Sequence, residues 1–227
     1  MKYLLFYTLL IFCNFNAYSQ INELGVFVGG VNYIGDVGPT SYISPNEPAI
    51  GILYRWNRSP RHSYRFSYTQ GSLTSNDKDS DVPSRNLRGF SFKNSVKEFS
   101  AGLEFNFLDF DLHDSKTKIS PYVYSGISYF IYDEIYILNN KSNKDYQSST
   151  FAIPMIVGLK GRFFENFIIG AEVGLRYSFT DNLDGSNPKN DNFETLRFGN
   201  LNSNDWYVFT GLTLTYTFGQ NPCFCSE

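Results

Sequence analysis

Alternation of apolar and polar side chains is the dominant pattern along this 227-residue chain. From Glu98 to Phe107 the odd positions are apolar and the even positions are polar or small, and a similar rhythm runs through Phe167–Phe179 and Trp206–Phe218. A period of two residues is typical of β-strands whose two faces meet different environments. With weaker versions of the pattern included, the predicted strands are Leu24–Tyr33, Pro48–Asn57, His62–Leu73, Val96–Phe107, Ser120–Tyr132, Phe151–Phe163, Phe167–Phe179 and Trp206–Phe218.

The connections between these strands alternate strictly between long and short. The long ones are Ile34–Glu47, Thr74–Ser95, Asp133–Thr150 and Thr180–Asp205, and the shorter ones are Arg58–Arg61, Leu108–Ile119 and Phe164–Asn166. Outer-membrane barrels have short periplasmic turns and long external loops. We therefore predict an all-β fold, an eight-stranded antiparallel transmembrane barrel with long extracellular loops, short periplasmic turns and both ends in the periplasm. A secreted β-sandwich is the alternative fold, and it offers no reason for this alternation.

The first residues predict export from the cytoplasm. Lys2 precedes the apolar run Tyr3–Cys13, and Ala17-Tyr18-Ser19 provides small residues for cleavage before Gln20. This order is typical of a secretory signal peptide, and the run is shorter than the roughly 20 residues of a transmembrane helix. The predicted segments are a signal peptide at 1–19, the barrel at 20–218 and a short periplasmic tail at 219–227.

Composition agrees with a barrel and argues against two other classes of protein. Aromatic residues make up 18% of the chain, and charged residues also make up 18%, below the roughly 25% of ordinary soluble domains. The mean hydropathy of −0.28 is too low for a bundle of membrane helices. The formal net charge of −3 excludes a general basic surface for nucleic acid.

The polar faces of the predicted strands carry charges that would point into a narrow lumen. Eight strands leave an interior just wide enough for side chains, and buried charges without partners are costly. We predict an ion-pair network across the lumen, in which Glu172 is the counter-charge of Arg162 or Arg176; an ion pathway is the alternative function. The predicted lumen residues are Arg65, Glu98, Glu104, Lys160, Arg162, Glu172 and Arg176.

Aromatic residues near strand ends predict girdles at the two membrane interfaces. These are Tyr33, Tyr54, Tyr68, Tyr132, Tyr177 and Trp206.

No catalytic, cofactor-binding or metal-binding residues are predicted. The two histidines, His62 and His113, fall at the periplasmic connections, away from the outer leaflet where a lipid-modifying barrel needs its base. Asp181–Gly185 resembles part of a calcium loop but lacks its spacing and its ligating glutamate. Asn, Asp and Gly are more simply turn residues there.

The tail after Phe218 contains two cysteines, Cys223 and Cys225, in an oxidising compartment. A bridge between them would close a strained loop, and two thiols alone are an incomplete metal site. Intermolecular disulfides with partner proteins and an untethered tail both remain open.

Several segments resemble PorG-type proteins, the small outer-membrane barrels of the type IX secretion system of Bacteroidota. One is Gly29–Gly38 at the end of the first predicted strand, in which Gly29-Gly30-Val31-Asn32-Tyr33-Ile34-Gly35-Asp36 is the most specific part. The others are Asn57–Arg61, Ile153-Pro154, Arg176–Asp184 and Pro222–Cys225.

The resemblance implies a structural, non-enzymatic component that supports protein secretion and, in gliding species, motility. Its implied partners are the periplasmic ring lipoprotein PorK (GldK in gliders) and PorN (GldN), besides outer-membrane lipids and other outer-membrane lipoproteins. With this resemblance we expect Cys223 and Cys225 to form disulfides with such lipoproteins. A general small barrel for surface interaction or adhesion is the alternative, followed by a narrow pore or a lipid-active barrel.

Overall fold

The computed structural model describes residues 21–111, 119–164 and 166–219 and folds them into a closed antiparallel barrel. Eight strands follow one another around the barrel in chain order, and the last closes it by pairing with the first. They are β1 Ile21–Ile34, β2 Glu47–Asn57, β3 His62–Asn76, β4 Ser91–Asn106, β5 Ile119–Leu138, β6 Lys141–Phe164, β7 Phe167–Ser178 and β8 Trp206–Phe218. The predicted fold is confirmed. The predicted signal peptide at 1–19 lies outside the described residues.

The strand boundaries on the side of the long loops differ from the prediction. The segment Asp133–Thr150 is not a loop, because β5 runs to Leu138 and β6 begins at Lys141. Asn139 and Asn140 alone join them, both with positive φ, 53° and 64°, as in a type I′ hairpin turn. This hairpin extends beyond the apolar part of the barrel, so its sequence lacks the alternation that marks the membrane strands.

The connection between β3 and β4 is also shorter than predicted. It contains a 3₁₀ turn at Asp77–Asp79 and a short helix, α1, at Pro83–Arg88. Helix α1 ends at Gly89, whose φ of 68° is the left-handed conformation common after helices.

The long connections form a cap over one end of the barrel. The tip of the β5–β6 hairpin bends back onto the β3–β4 connection, where the Asn140 side chain donates to the Arg88 carbonyl at 2.9 Å and Ser91 pairs with Lys141. The β7–β8 connection packs on the same hairpin, with the rings of Tyr136 and Phe193 stacked 3.8 Å apart. The cap is therefore held together by contacts between three connections.

An apolar core fills the capped half of the lumen. It runs without interruption from inward-facing strand residues into the β7–β8 connection, where Leu183 is fully buried. The largest members include Phe27, Tyr33, Leu73, Phe92, Phe130, Tyr132, Tyr207 and Phe209. The lumen is thus divided into an apolar half under the cap and a charged half at the opposite end.

The outer face of the barrel is apolar and exposed on every strand. Its exposed side chains include Leu24, Val26, Ile52, Phe66, Phe99, Leu103, Ile127, Met155, Val157, Ile169, Leu212 and Leu214. In hydrocarbon such a face is stable, and a closed barrel leaves no unpaired sheet edge there. The chain is an integral outer-membrane β-barrel protein in contact with membrane lipids.

The predicted aromatic girdles are correct only in part. Tyr54, Tyr68, Tyr177 and Trp206 lie on the outer face, but Tyr33 and Tyr132 point into the lumen and are buried. The last two are core residues of the capped half. In the described part of the chain, no helix has the length and apolarity of a membrane span.

Candidate functional site

Glu104 on β4 is the centre of the charged half of the lumen. Its carboxylate accepts hydrogen bonds from Arg55 Nε at 2.8 Å and from Lys160 Nζ at 2.7 Å, and Arg65 lies 3.7 Å away. These residues come from four different strands, so the network ties β2, β3, β4 and β6 together. All four side chains are buried.

Glu23 extends the network to the seam where the barrel closes. Arg55 Nη1 donates to Glu23 at 3.0 Å, and Asn57 and Thr215 each donate to the same carboxylate at 2.9 Å. Glu23, on β1, is thus hydrogen-bonded to side chains of both neighbouring strands, β2 and β8. Closure of the barrel and neutralisation of this carboxylate depend on the same contacts.

Glu172 on β7 pairs with Arg65 across the lumen. Two parallel hydrogen bonds of 2.8 and 2.7 Å join the guanidinium to the carboxylate, and the Tyr122 hydroxyl donates to the carboxylate at 2.5 Å. The Arg65 guanidinium also lies 5.2 Å from the Tyr124 ring centre, within cation–π distance. The expectation that Glu172 neutralises Arg162 or Arg176 is wrong.

Glu98 and Arg176 form the pair nearest the apolar half. Arg176 Nε lies 3.3 Å from both carboxylate oxygens of Glu98, and the Tyr207 hydroxyl donates to Glu98 at 2.7 Å. The guanidinium lies 4.7 Å from the Phe209 ring centre. Aromatic residues of the core thus contact the last ion pair directly.

The structure places six of the seven predicted lumen residues in this buried network and adds two. Arg162, near the short-turn end of β6, is half-buried. The sequence pattern did not predict Glu23 and Arg55 as lumen residues. Arg55 could have been found from its position between Tyr54 and Trp56, because a charge that alternates with outward aromatic residues points into the lumen. With Glu23 and Arg55 included, the buried set balances at four carboxylates (Glu23, Glu98, Glu104, Glu172) and four cations (Arg55, Arg65, Lys160, Arg176).

This balance decides what the lumen can do chemically. Each carboxylate is already bonded to a cation, and each is buried. Removing one partner would leave an uncompensated buried charge. The network therefore cross-links the strands and fills the lumen.

A second polar cluster lies beneath the cap, where Asp184 and Asp205 are buried. The Asp184 carboxylate accepts from the backbone N–H of Val37 at 3.1 Å. The carboxylate of Asp205 accepts from the Leu183 N–H at 2.8 Å and from the Tyr33 hydroxyl. These bonds attach the β7–β8 connection to the end of β1 and to the segment that follows it.

Burial changes the ionisation of this cluster. It raises the pKa of Asp181 to about 7, and the nearby charges of Asp184 and Asp36 add to the shift. It likewise raises the pKa of Asp184, and it raises that of Asp205 well above the usual range for a carboxyl, with the charge of Asp184 contributing next. We therefore expect the stability of the cap to depend on pH.

Asp181–Gly185 acts as a turn in the structure. Asp184 Oδ1 accepts from the Ser186 N–H at 2.9 Å, and Asn182 Oδ1 accepts from the Asn187 N–H at 3.1 Å. Both are bonds from a side chain to nearby backbone, as in Asx turns. No group of three His, Cys, Asp or Glu side chains with a metal-binding arrangement occurs among residues 21–111, 119–164 and 166–219.

The remaining predicted residues lie at the end opposite the cap or outside the described chain. His62 is exposed beside the short β2–β3 turn, 3.3 Å from Ser59 Oγ. His113 and the predicted disulfide-forming Cys223 and Cys225 lie outside the described residues.

Comparisons with known proteins identify a family and a set of solved structures. A family model described as a domain of unknown function (DUF6089) matches residues 2–227. The search of curated proteins found no match.

The similar solved structures are small bacterial outer-membrane proteins. Ail of Yersinia pestis, solved with the heparin analogue sucrose octasulfate, is 12% identical with a TM-score of 0.47, covering 88% of this chain and 99% of that one. The N-terminal barrel domain of Pseudomonas aeruginosa OprF is 14% identical with a TM-score of 0.46, covering 88% and 99%. Neisserial surface protein A is 11% identical with a TM-score of 0.45, covering 88% and 96%.

Proposed function

The chain belongs to the DUF6089 family, and for this member we propose a structural, non-enzymatic role: it anchors a periplasmic lipoprotein ring of the type IX secretion system to the outer membrane. The filled lumen is the observation that carries this proposal. Core residues such as Phe130 occupy the capped half, and balanced ion pairs around Glu104 occupy the other. A barrel filled in this way serves as a membrane support, because neither half leaves room for transported cargo.

The anchoring contact in this proposal is the segment that follows β8. This strand ends at Phe218, which pairs with Asn22 at the short-turn end of the barrel, and residues 219–227 continue from there. Cys223 and Cys225 are the fifth and seventh residues after Phe218, a span of at most about 25 Å, so their partner must lie directly beneath the membrane. The resemblance of Pro222–Cys225 and of the Gly29–Asp36 segment to PorG-type proteins supports PorK/GldK-like and PorN/GldN-like partners.

The proposed bond is a disulfide between Cys223 or Cys225 and a cysteine of a periplasmic-side lipoprotein. Two thiols are oxidised to one disulfide, and the two electrons and two protons pass to the oxidising thiol–disulfide system of the periplasm. A covalent link holds a ring against load that a polar contact would not withstand.

Non-reducing gels of cell envelopes test this bond. The wild-type protein should appear in larger bands that collapse on reduction, and the bands should be lost in a Cys223→Ser, Cys225→Ser double variant together with secretion. Ser226→Ala is the matched control in the same segment and should leave both unchanged. Normal secretion by the double variant, or the absence of any reducible band, would refute the anchor.

A second function, surface interaction, is favoured by the exposed apolar side chains of the cap. Leu87 on α1 is 88% exposed, and Tyr42 and Ile43 in the β1–β2 connection are 69% and 60% exposed. A contiguous apolar patch on an external surface marks a contact site for another molecule, and these three side chains would contribute to one. A Leu87→Ser, Ile43→Ser variant that loses adhesion to a surface while secretion stays normal would establish this function instead of the anchor.

A further inference from the structure

A groove on the outer face of the barrel combines the features of a lipid site. It has a volume of 460 Å³ and lies across β2 to β6, between Phe66, Tyr68 and Phe99 on one side and Ile127 and Tyr129 on the other. Ala101 provides its floor, since its neighbours on the outer face are much larger. The groove is therefore a recess in the part of the surface that contacts hydrocarbon.

Aromatic pairs border the groove. The rings of Tyr68 and Phe99 lie 4.8 Å apart, and those of Tyr129 and Phe151 lie 5.4 Å apart. Tyr68, Phe99, Tyr129 and Phe151 are neighbours in the pairing of successive strands. They form one row around the barrel, as expected where hydrocarbon meets headgroups. The recess extends from this row toward the middle of the membrane. It therefore lies at the depth of the lipid acyl chains.

A positively charged side chain lies on the cap side of this aromatic row. Lys97 precedes Phe99 by two residues on β4, is exposed on the same outer face, and pairs in register with Gln70. Both line a second cleft of 350 Å³ along the same strands. Within the described chain no carboxylate lies in ion-pair range of Lys97, whereas Lys93, four residues closer to the cap on the same strand, is 3.6 Å from Glu47.

We propose that this groove binds an anionic lipid of the outer leaflet, with an acyl chain over Ala101 and the headgroup phosphate on Lys97. The arrangement matches an amphipathic lipid in polarity, in charge and in order along the membrane normal. A lysine at the membrane surface strengthens binding to an anionic lipid about fivefold, and the apolar recess adds selectivity for a chain-bearing ligand.

The opposite side of the barrel provides an internal control. A groove of 480 Å³ runs across β6, β7 and β8 beside Ala171. Its outward neighbours on β7 toward the cap are Val173, Leu175 and Tyr177, and none is charged. This groove should accept an acyl chain without preference for an anionic headgroup.

Native mass spectrometry of the full barrel tests the proposal with two lipids that share their chains, dimyristoyl phosphatidic acid and dimyristoyl phosphatidylcholine. The wild-type protein should retain the phosphatidic acid preferentially. Lys97→Gln should reduce this preference about fivefold, and Ala101→Phe should abolish it by filling the recess. Lys141→Gln, the same charge change at the hairpin tip, and Ala171→Phe, the same enlargement in the other groove, should leave it unchanged. Heat-modifiable gel mobility shows that each variant is folded.

Four results would overturn the lipid site. The first is equal retention of both lipids by the wild-type protein, and the second is an equal effect of Lys97→Gln and Lys141→Gln. The third is a photocrosslinker at Ile127 that, in native membranes, yields a protein adduct and no lipid adduct, because the groove would then be a protein interface. The fourth is competition by inorganic phosphate. If inorganic phosphate displaces the phosphatidic acid as effectively as an excess of the same lipid does, the acyl groove contributes nothing to binding.

Discussion

Arg65 and Glu172 form a bidentate ion pair across the barrel, although 107 positions separate them in the chain. Arg65 projects inward from β3 and Glu172 from β7, so the pair joins opposite walls of the lumen. Because both side chains are buried, water does not weaken the contact as it does on a protein surface. This pair makes the barrel interior a cross-linked structure.

Glu172→Ala should destabilise the protein strongly. It leaves Arg65 buried with Glu104 as its remaining carboxylate, 3.7 Å away, and it removes the acceptor of the Tyr122 hydroxyl. Breaking a buried pair from one side typically costs about 3–5 kcal/mol. Urea unfolding in detergent, followed by tryptophan fluorescence, measures the change in the free energy of unfolding.

The control for this change is Glu194→Ala on the cap. Glu194 pairs with Arg197 at 3.3 Å, but the side chain of Glu194 is 67% exposed. Exposed pairs contribute about 0–1 kcal/mol, so this variant should unfold almost as the wild-type protein does. Equal losses from the two substitutions would mean that the lumen is hydrated.

The purified barrel should not conduct ions at porin level. The capped half of the lumen is closed by Phe130, Tyr132 and Tyr207, and the other half by paired charges. Planar-bilayer recordings should show no stable current steps of the size that larger barrels give, because eight strands leave a filled interior. Steady porin-sized steps from the wild-type protein would contradict the structure of the lumen.

The capped end should face the outside of the cell. Outer-membrane barrels place their long connections outside and their short turns in the periplasm. In intact cells whose protein carries Cys223→Ser and Cys225→Ser, so that neither tail thiol reacts, a membrane-impermeant maleimide should label Leu87→Cys on α1. It should reach Arg58→Cys in the short β2–β3 turn only after the outer membrane is permeabilised. The reverse labelling would invert the topology.

Stability of the cap should fall as the pH rises. Asp181, with a pKa raised to about 7, faces Asp184, Asp36 and Asn187. The folded protein binds this proton more tightly than the unfolded chain, so the stabilisation is complete below the unfolded pKa near 4 and is lost as the pH rises through about 7. Denaturant midpoints should be higher near pH 5 than near pH 8.

Asp181→Asn provides the specific test of this pH effect. The amide cannot ionise, so the variant should lose part of the pH dependence and gain stability at alkaline pH. Asp79→Asn, on an exposed residue of the 3₁₀ turn, should keep the wild-type profile. Stability that increases with pH in the wild-type protein would show that the cluster is not protonated on folding.

Local patterns in the chain are sufficient to predict the barrel and most of its faces. Alternation in β4 and β7 correctly separated outward Phe99 and Ile169 from inward Glu98 and Glu172. This succeeds because strands in a membrane barrel meet lipid on one face and a packed lumen on the other, and a period of two residues records that difference locally. The eight strands and their cyclic order therefore needed no long-range information.

Which charges pair in the lumen depends on the closed barrel and not on the local pattern. Glu172 pairs with Arg65 and not with the cations near it in sequence, because a lumen brings side chains from opposite walls together and strand register and tilt set their heights. For the same reason Glu23, in a strand with weak alternation, joins the network, and Arg162 lies near the rim.

The cap and the capped half of the lumen likewise depend on contacts between distant segments. Tyr33 and Tyr132 appear in sequence as girdle residues, yet they are buried because Leu183 and the β7–β8 connection cover the barrel end. The β5–β6 hairpin has no membrane pattern to reveal it, since both its faces lie outside the hydrocarbon. A local pattern reports the environment of one residue, whereas pairing and enclosure are properties of the closed barrel.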